Sequence, residues 1–211
     1  MDFTEVVRRR RIVRHFANEP VDRAVLGRIA AIAQRTPSAG FSQGQRLLVV
    51  TEPKLRLEIA EILGEAELAE AGFDRWISEC AALYIPCVSE TIYHRRYQEG
   101  DKTDEAGNEI DWPVPYWWMD IGCTVMLILL AAVDEGLAAG FAGSDADGYV
   151  KLRELLGIPD EFSPVGVIPV GRPLPDMRSP SLTRGWVPNP EFARWERWWR
   201  SGSAMARRRM P

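Results

Sequence analysis

The 211-residue sequence predicts a single globular domain of interleaved helices and strands. Hydrophobic residues make up 46% of the chain and charged residues 27%, a balance that suits one sizeable core in water. Apolar residues recur at helical spacing in some stretches and crowd into short β-branched runs in others. The longest nearly uncharged apolar run, Ile121 to Val133, is shorter than the roughly 18 to 20 residues that cross a bilayer. With Asp2 and Glu5 in place of an apolar leader, the sequence reads as cytoplasmic, with no membrane partner.

Element by element, Asp2 to Arg9 reads as a short opening helix. From Pro20, Val25, Ile29 and Ile32 at spacings of four and three mark an amphipathic helix to about Arg35, which Thr36-Pro37 ends. After a loop, RLLVV at 46–50 is a strand, and Leu55, Ile59 and Ile62 place a helix over 53–63. ALYIPCVS at 82–89 is a second strand, with Pro86 arguing for an edge or a bulge. Residues 90–115 are charged and without period, hence a long loop. Residues 116–137, apolar on most faces, form a buried central helix ended by Gly136. Buried strands at 138–142 and 163–171 flank a helix at 147–157. Pro173, Pro175, Pro180, Pro188 and Pro190 keep the tail (173–211) extended before a last helix over 190–200.

The chemistry is concentrated in two segments. Cys80, Cys87 and Cys123 form no Cys-x-x-Cys pair, and with only His15 and His94 they predict no metal site. Gly40-Phe41-Ser42-Gln43-Gly44 fits the G-x-S-x-G pattern of a hydrolase nucleophile, which needs a strand before the serine and a helix after it. Here the order is helix, loop, strand, so Ser42 is not read as a nucleophile. Its small neighbours let backbone amides approach a ligand, and Ser38, Ser42 and Gln43 supply short polar groups suited to a flat polar molecule. Five arginines within residues 8–14 point to phosphate, because guanidinium forks bind phosphate oxygens in pairs. A net charge of −4 and the lack of interleaved aromatics argue against nucleic acid.

Together these segments resemble the nitroreductase family of flavoproteins. Arg10, Arg11, Ile12, Val13, Arg14, His15 and Phe16 align with its R-R-S-x-R-x-F opening, and Pro37 to Gln45 with its P-S-x-x-N-x-Q-P-W block. EGLAAGFAGSD at 135–145 and SPVGVIPVGRP at 163–173 are similar to its third and fourth blocks. The resemblance implies an α+β fold, a mostly antiparallel central sheet flanked by helices, and an intertwined homodimer with FMN at each interface site. It implies phosphate held by Arg10, Arg14 and Arg11, joined by Arg184 of the tail with Arg178 behind it. Pro37, Ser38, Ala39, Phe41 and Gln43 would reach the flavin from the partner subunit. Phe141, Ala142, Gly143 and Ser144 would line one face of its ring, with a backbone amide directed at N5. No catalytic side chain is required, because the flavin would carry hydride from NAD(P)H to a nitroaromatic, quinone or related small acceptor.

Ile12 stands where the family has a phosphate-binding serine, Phe41 where it has a flavin-bonding asparagine, and Gly44-Gln45 where it has Pro-Trp. These departures keep two alternatives open: a flavin-binding protein with altered or lost turnover, and a same-fold chemistry such as reductive dehalogenation or flavin breakdown. Tyr93, Tyr97, Trp112, Tyr116, Trp117 and Trp118 are expected to cover the site, either stacking on a substrate or anchoring the dimer. Trp195, Trp198 and Trp199, at helical spacing, are expected to pack on the partner.

Overall fold

The computed structural model describes residues 1–176 and 179–198; Arg178 and Trp199 lie outside the described residues. Residues 1–176 form one compact unit, and the tail from 177 forms a second. The first unit is built on a sheet of β1 (Gln45–Val50), β2 (Ala82–Val88), β3 (Ala138–Ala139), β4 (Ser163–Pro164) and β5 (Ile168–Gly171). Its order is β1-β2-β5-β3, with β4 also pairing with β2, and all four ladders are antiparallel. The α+β expectation holds.

β2 is central, and Pro86 pairs with Leu47 on one side. On the other side Tyr84 faces Ile168 while Cys87 faces Pro164, so residues 165–167 oppose only Ile85 and Pro86. This is a one-residue bulge, which accommodates a proline lacking an amide donor. Of the two expectations for Pro86, the bulge is found and the edge is not. The single strand expected over 163–171 is accordingly broken in two at Gly166, whose φ of 154° lets the Phe141 ring lie against its Cα.

Helices cover both faces of the sheet. Leu83, Ile85 and Cys87 of β2 join the cluster that includes Ile59 of α3 (Pro53–Ile62) and Leu152 of α7 (Ala146–Leu156). Ala82 and Tyr84 point the other way, toward Leu26 and Ile29 of α2 (Arg23–Ala33) and Ile128 of α6 (Tyr116–Asp134). A strand covered on both faces reads as continuously apolar, which is why β2 shows no polar alternation. α2 starts later than Pro20 suggests, since the Asp22 side chain caps it through the Ala24 amide at 2.8 Å. α6 has 19 residues, longer than the 121–133 run because 116–120 join it; it is long and apolar enough to cross a bilayer, yet half of its most apolar window is buried in this fold.

The long loop expected over 90–115 begins instead with α5 (Glu90–Tyr97), capped by the Ser89 hydroxyl on the Ile92 amide at 3.3 Å. Two further short helices are α1 (Phe3–Arg9) and α4 (Glu65–Glu70). In the tail unit only α8 (Asn189–Phe192) is helical near the end, and Ala193 turns extended. The expected helix over 190–200 is therefore absent from residues 193–198, because a four-residue turn is shorter than a stable helix nucleus.

Candidate functional site

The arginine segment divides by partner. Glu5 binds Arg8 through two 2.7 Å hydrogen bonds and also pairs with Arg9, and these arginines pull its carboxyl down to about 2. Arg10, Arg11 and Arg14 have no carboxylate partner among the described residues. The chain here meets the sheet at one isolated bridge: Ile12 pairs with Ala139 in parallel, and the Val13 amide donates to the Ala139 carbonyl at 3.0 Å. That register sets Arg14 abreast of Phe141. The Arg14 amide donates to Asp176 at 2.9 Å, and its guanidinium lies 5.6 Å from the centre of the Trp76 ring.

Next to this segment run residues 140–144. Ala142 exchanges two 2.8 Å backbone bonds with Val167, after which the Gly143 and Ser144 amides meet no acceptor among the described residues. Gly143 is exposed and Ser144 half-buried. Guanidiniums without a carboxylate partner on one segment and amides without an acceptor on the next are donors suited to an anionic ligand. Phe141 itself is half-buried, packed on Gly166.

The loop from Thr36 to Gly44 is held from two sides. Asp120 of α6, buried, accepts from the Ala39 amide and from the Tyr93 hydroxyl, each at 2.8 Å. Arg96 of α5 donates to the Gly40 carbonyl at 3.0 Å while Asp101 holds it in a two-pronged pair. Ser38 accepts from the Gln43 amide at 2.9 Å. Gly40, Phe41 and Gln43 all have positive φ, near 50–60°, and this turns the Phe41 side chain outward, 73% exposed. Left-handed backbone at Phe41 and Gln43 costs energy that no packing of the Phe41 ring returns, which makes this loop a candidate for a ligand contact. The Ser42 hydroxyl donates to the Ala39 carbonyl at 2.6 Å, whereas His15 is bonded to the Pro175 carbonyl and His94 to Glu109. The geometry gives Ser42 no base.

An open cleft of about 900 Å³ borders this loop, lined by Phe41, Gln43, Arg46 and the small face of α2 at Gly27, Ala30 and Ala31. No hydrogen bond or ring contact joins loop 37–43 to residues 10–14 or 141–144 within the described part of the chain.

The aromatic group gathers around Trp112, with the rings of Tyr93, His94, Tyr97, Tyr116 and Trp117 at 4.3–6.4 Å. Expected to face a substrate, Tyr93 and Trp117 are instead buried. Burial, then the bond to Asp120, raises the Tyr93 phenol far above its ordinary range, so it stays a donor. Tyr97, Trp112 and Tyr116 are half-buried, and Trp118 is exposed. Glu109 joins the group by accepting from Trp112 Nε1 at 2.5 Å and bonding His94 Nδ1 at 2.5 Å. Asp120, Arg96 and Glu109 carry no sequence motif; an acid inside the apolar run 116–133 was the one available signal for Asp120. Arg184, in the tail unit, ends a 3-10 turn at Pro180–Arg184 and is exposed.

Comparison with known proteins places the chain. It is 26% identical over 199 residues to an iodotyrosine deiodinase of Nematostella vectensis, covering 87% of this chain and 71% of that one. It is 23% identical over 171 residues to an NADPH-dependent oxidoreductase of Staphylococcus aureus, covering 81% of this chain but only 64% of the relative's length. The fold matches the NADPH:FMN oxidoreductase of Vibrio harveyi solved with NAD+, at a TM-score of 0.68 and 18% identity, over 94% of this chain and 79% of that one. The sequence profile of the Nitroreductase family matches residues 7–172, and the chain belongs to that family.

Proposed function

We propose that this protein is an FMN-dependent oxidoreductase that takes hydride from NAD(P)H and reduces a small electron acceptor, with each flavin held between two copies of the chain. One observation carries the reading: among the described residues Arg10, Arg11 and Arg14 have no carboxylate partner in a segment that bridges Ala139, and the Gly143 and Ser144 amides a few residues further on meet no acceptor. The phosphate would rest on the guanidiniums and the ring against residues 141–144. Among the described residues loop 37–43 bonds to neither segment, which supports its serving the partner's flavin. Arg184 is proposed as the tail's contribution. A bound flavin supplies the two-electron step, so the protein needs only to hold it, orient it and cover it. Tyr97, Trp112 and Tyr116, with edges left open, are proposed to border the acceptor.

A fluorescence titration with FMN tests the cofactor, and anaerobic addition of NADH or NADPH tests turnover. Stoichiometric quenching followed by bleaching of the flavin absorbance is expected. A protein that takes up no flavin refutes the reading, and one that binds FMN but never bleaches is a binding protein, the outcome that Ile12 and Phe41 would favour. The similarity to an iodotyrosine deiodinase favours a second reading, reductive removal of halide from an aromatic, which a screen of the reduced protein against halogenated phenols and nitroaromatics separates from the first.

A further inference from the structure

We propose that Trp76 is a positioning residue: its ring is the shelf that aims Arg14 at the cofactor phosphate. This rests on the flavin reading above. Two contacts converge on the ring. The Arg14 guanidinium lies over its face. Gly140 abuts its edge so closely that a Cβ there would stand 2.6 Å from a ring carbon and 2.6 Å from the Val13 carbonyl oxygen. Gly140 is thus wedged between this indole and the Val13 carbonyl, next to Arg14.

A shelf is useful only if it is rigid, and Trp76 sits in a segment, 73–81, with no helix or strand of its own. Buried charges supply the rigidity. Glu65, 1% exposed, accepts from the Trp76, Ile77 and Ser78 amides at 2.8, 2.6 and 3.2 Å, and takes the Ser78 hydroxyl on its other oxygen. From the opposite side buried Arg56 donates to the Ser78 and Ala81 carbonyls at 3.4 and 3.5 Å. Glu65, with Arg75 3.9 Å away, and Arg56 thus bond the backbone of one short segment from two sides, and removing either leaves groups of that segment unpaired. A guanidinium preset against an aromatic face has less rotamer freedom to lose on binding phosphate than a free one. Ile12 donates no hydrogen bond there, so the aim of Arg14 matters more.

The alternative is that Trp76 is packing alone, and riboflavin separates the two because it keeps the ring and lacks the phosphate. Affinities of FMN and riboflavin are measured for the wild type, Trp76→Leu, Arg14→Ala and the double variant. Trp76→Leu is expected to weaken FMN three- to tenfold, leave riboflavin within twofold, and add nothing in the Arg14→Ala background. Equal loss of both flavins, or full retention of FMN preference, overturns the proposal while leaving the flavin reading intact; a wild type that binds neither flavin overturns the flavin reading itself. Should Trp76→Leu not fold, fluorotryptophan incorporation keeps the ring's size and drains its face of negative charge. FMN affinity must then fall with fluorination while riboflavin affinity holds, and unchanged FMN affinity refutes the shelf.

Discussion

Asp120 bears on loop 37–44 more than any residue inside that loop, since it alone accepts from both the Ala39 amide and the Tyr93 hydroxyl. Asp120→Ala leaves the buried Tyr93 hydroxyl and the half-buried Ala39 amide unpaired, a cost of roughly 2 to 4 kcal/mol that urea unfolding should show, with Asp120→Asn recovering part of it. In the arginine segment, Arg14→Ala removes a charge-assisted contact worth roughly 1.5 to 3 kcal/mol, so FMN affinity should fall about ten- to a hundredfold. Ser42→Ala, which loses only its bond to the Ala39 carbonyl, should keep nicotinamide oxidation near the wild-type rate. A dead Ser42→Ala beside an Arg14→Ala that binds FMN normally would reverse both assignments.

Helix α5 and the chain after it form a pH-dependent element. His94 is raised above its ordinary 6.5, first by its bond to Glu109 and further by Glu90, while Glu109 is lowered from 4.5 by Trp112 first and then by His94. A raised histidine contributes stability that is complete below pH 6.5 and fades as pH rises through the folded value. The lowered glutamate contributes above pH 4.5 and is lost as pH falls through its folded value. The attachment of residues 98–115 is therefore strongest between those limits. His94→Gln should flatten the alkaline side of the melting-temperature profile relative to wild type; parallel profiles would remove His94 from the latch. Solvent reaches this pair, so the effect is modest. The same element explains Gly44, where the family has proline: a Cβ there would stand 2.5 Å from the Tyr93 ring and 2.9 Å from the Ser89 carbonyl oxygen.

On the scale of the molecule, large apolar side chains stand exposed in both units. Trp118, Met119, Gly122, Cys123 and Met126 form an exposed stripe on α6, and in the tail unit Trp186, Phe192, Trp195 and Trp198 are exposed. A second copy would cover such surfaces and complete the proposed flavin site. Light scattering should give twice the chain mass of 23.8 kDa. A monomer that binds FMN would contradict the shared site.

Local pattern alone determined the helices whose apolar stripes face the sheet, the strands β1 and β2, and the arginine cluster, because periodicity and side-chain chemistry are properties of neighbouring residues. It misplaced α5, whose only buried residue, Tyr93, leaves no stripe to read, although Ser89 as cap, Glu90 in the first turn and three basic residues in the last were legible. It also extended the final helix past Ala193. Glu5 claims two of the five arginines by helical i+3 and i+4 pairing, which is local, whereas the bridge from Ile12 to Ala139 was decided by tertiary structure. So was the burial of Tyr93, the bulge opposite Pro86, and the meeting of Trp76, Gly140 and Val13. Each joins residues distant along the chain, and such contacts follow from how sheet and helices pack, a choice no single segment encodes.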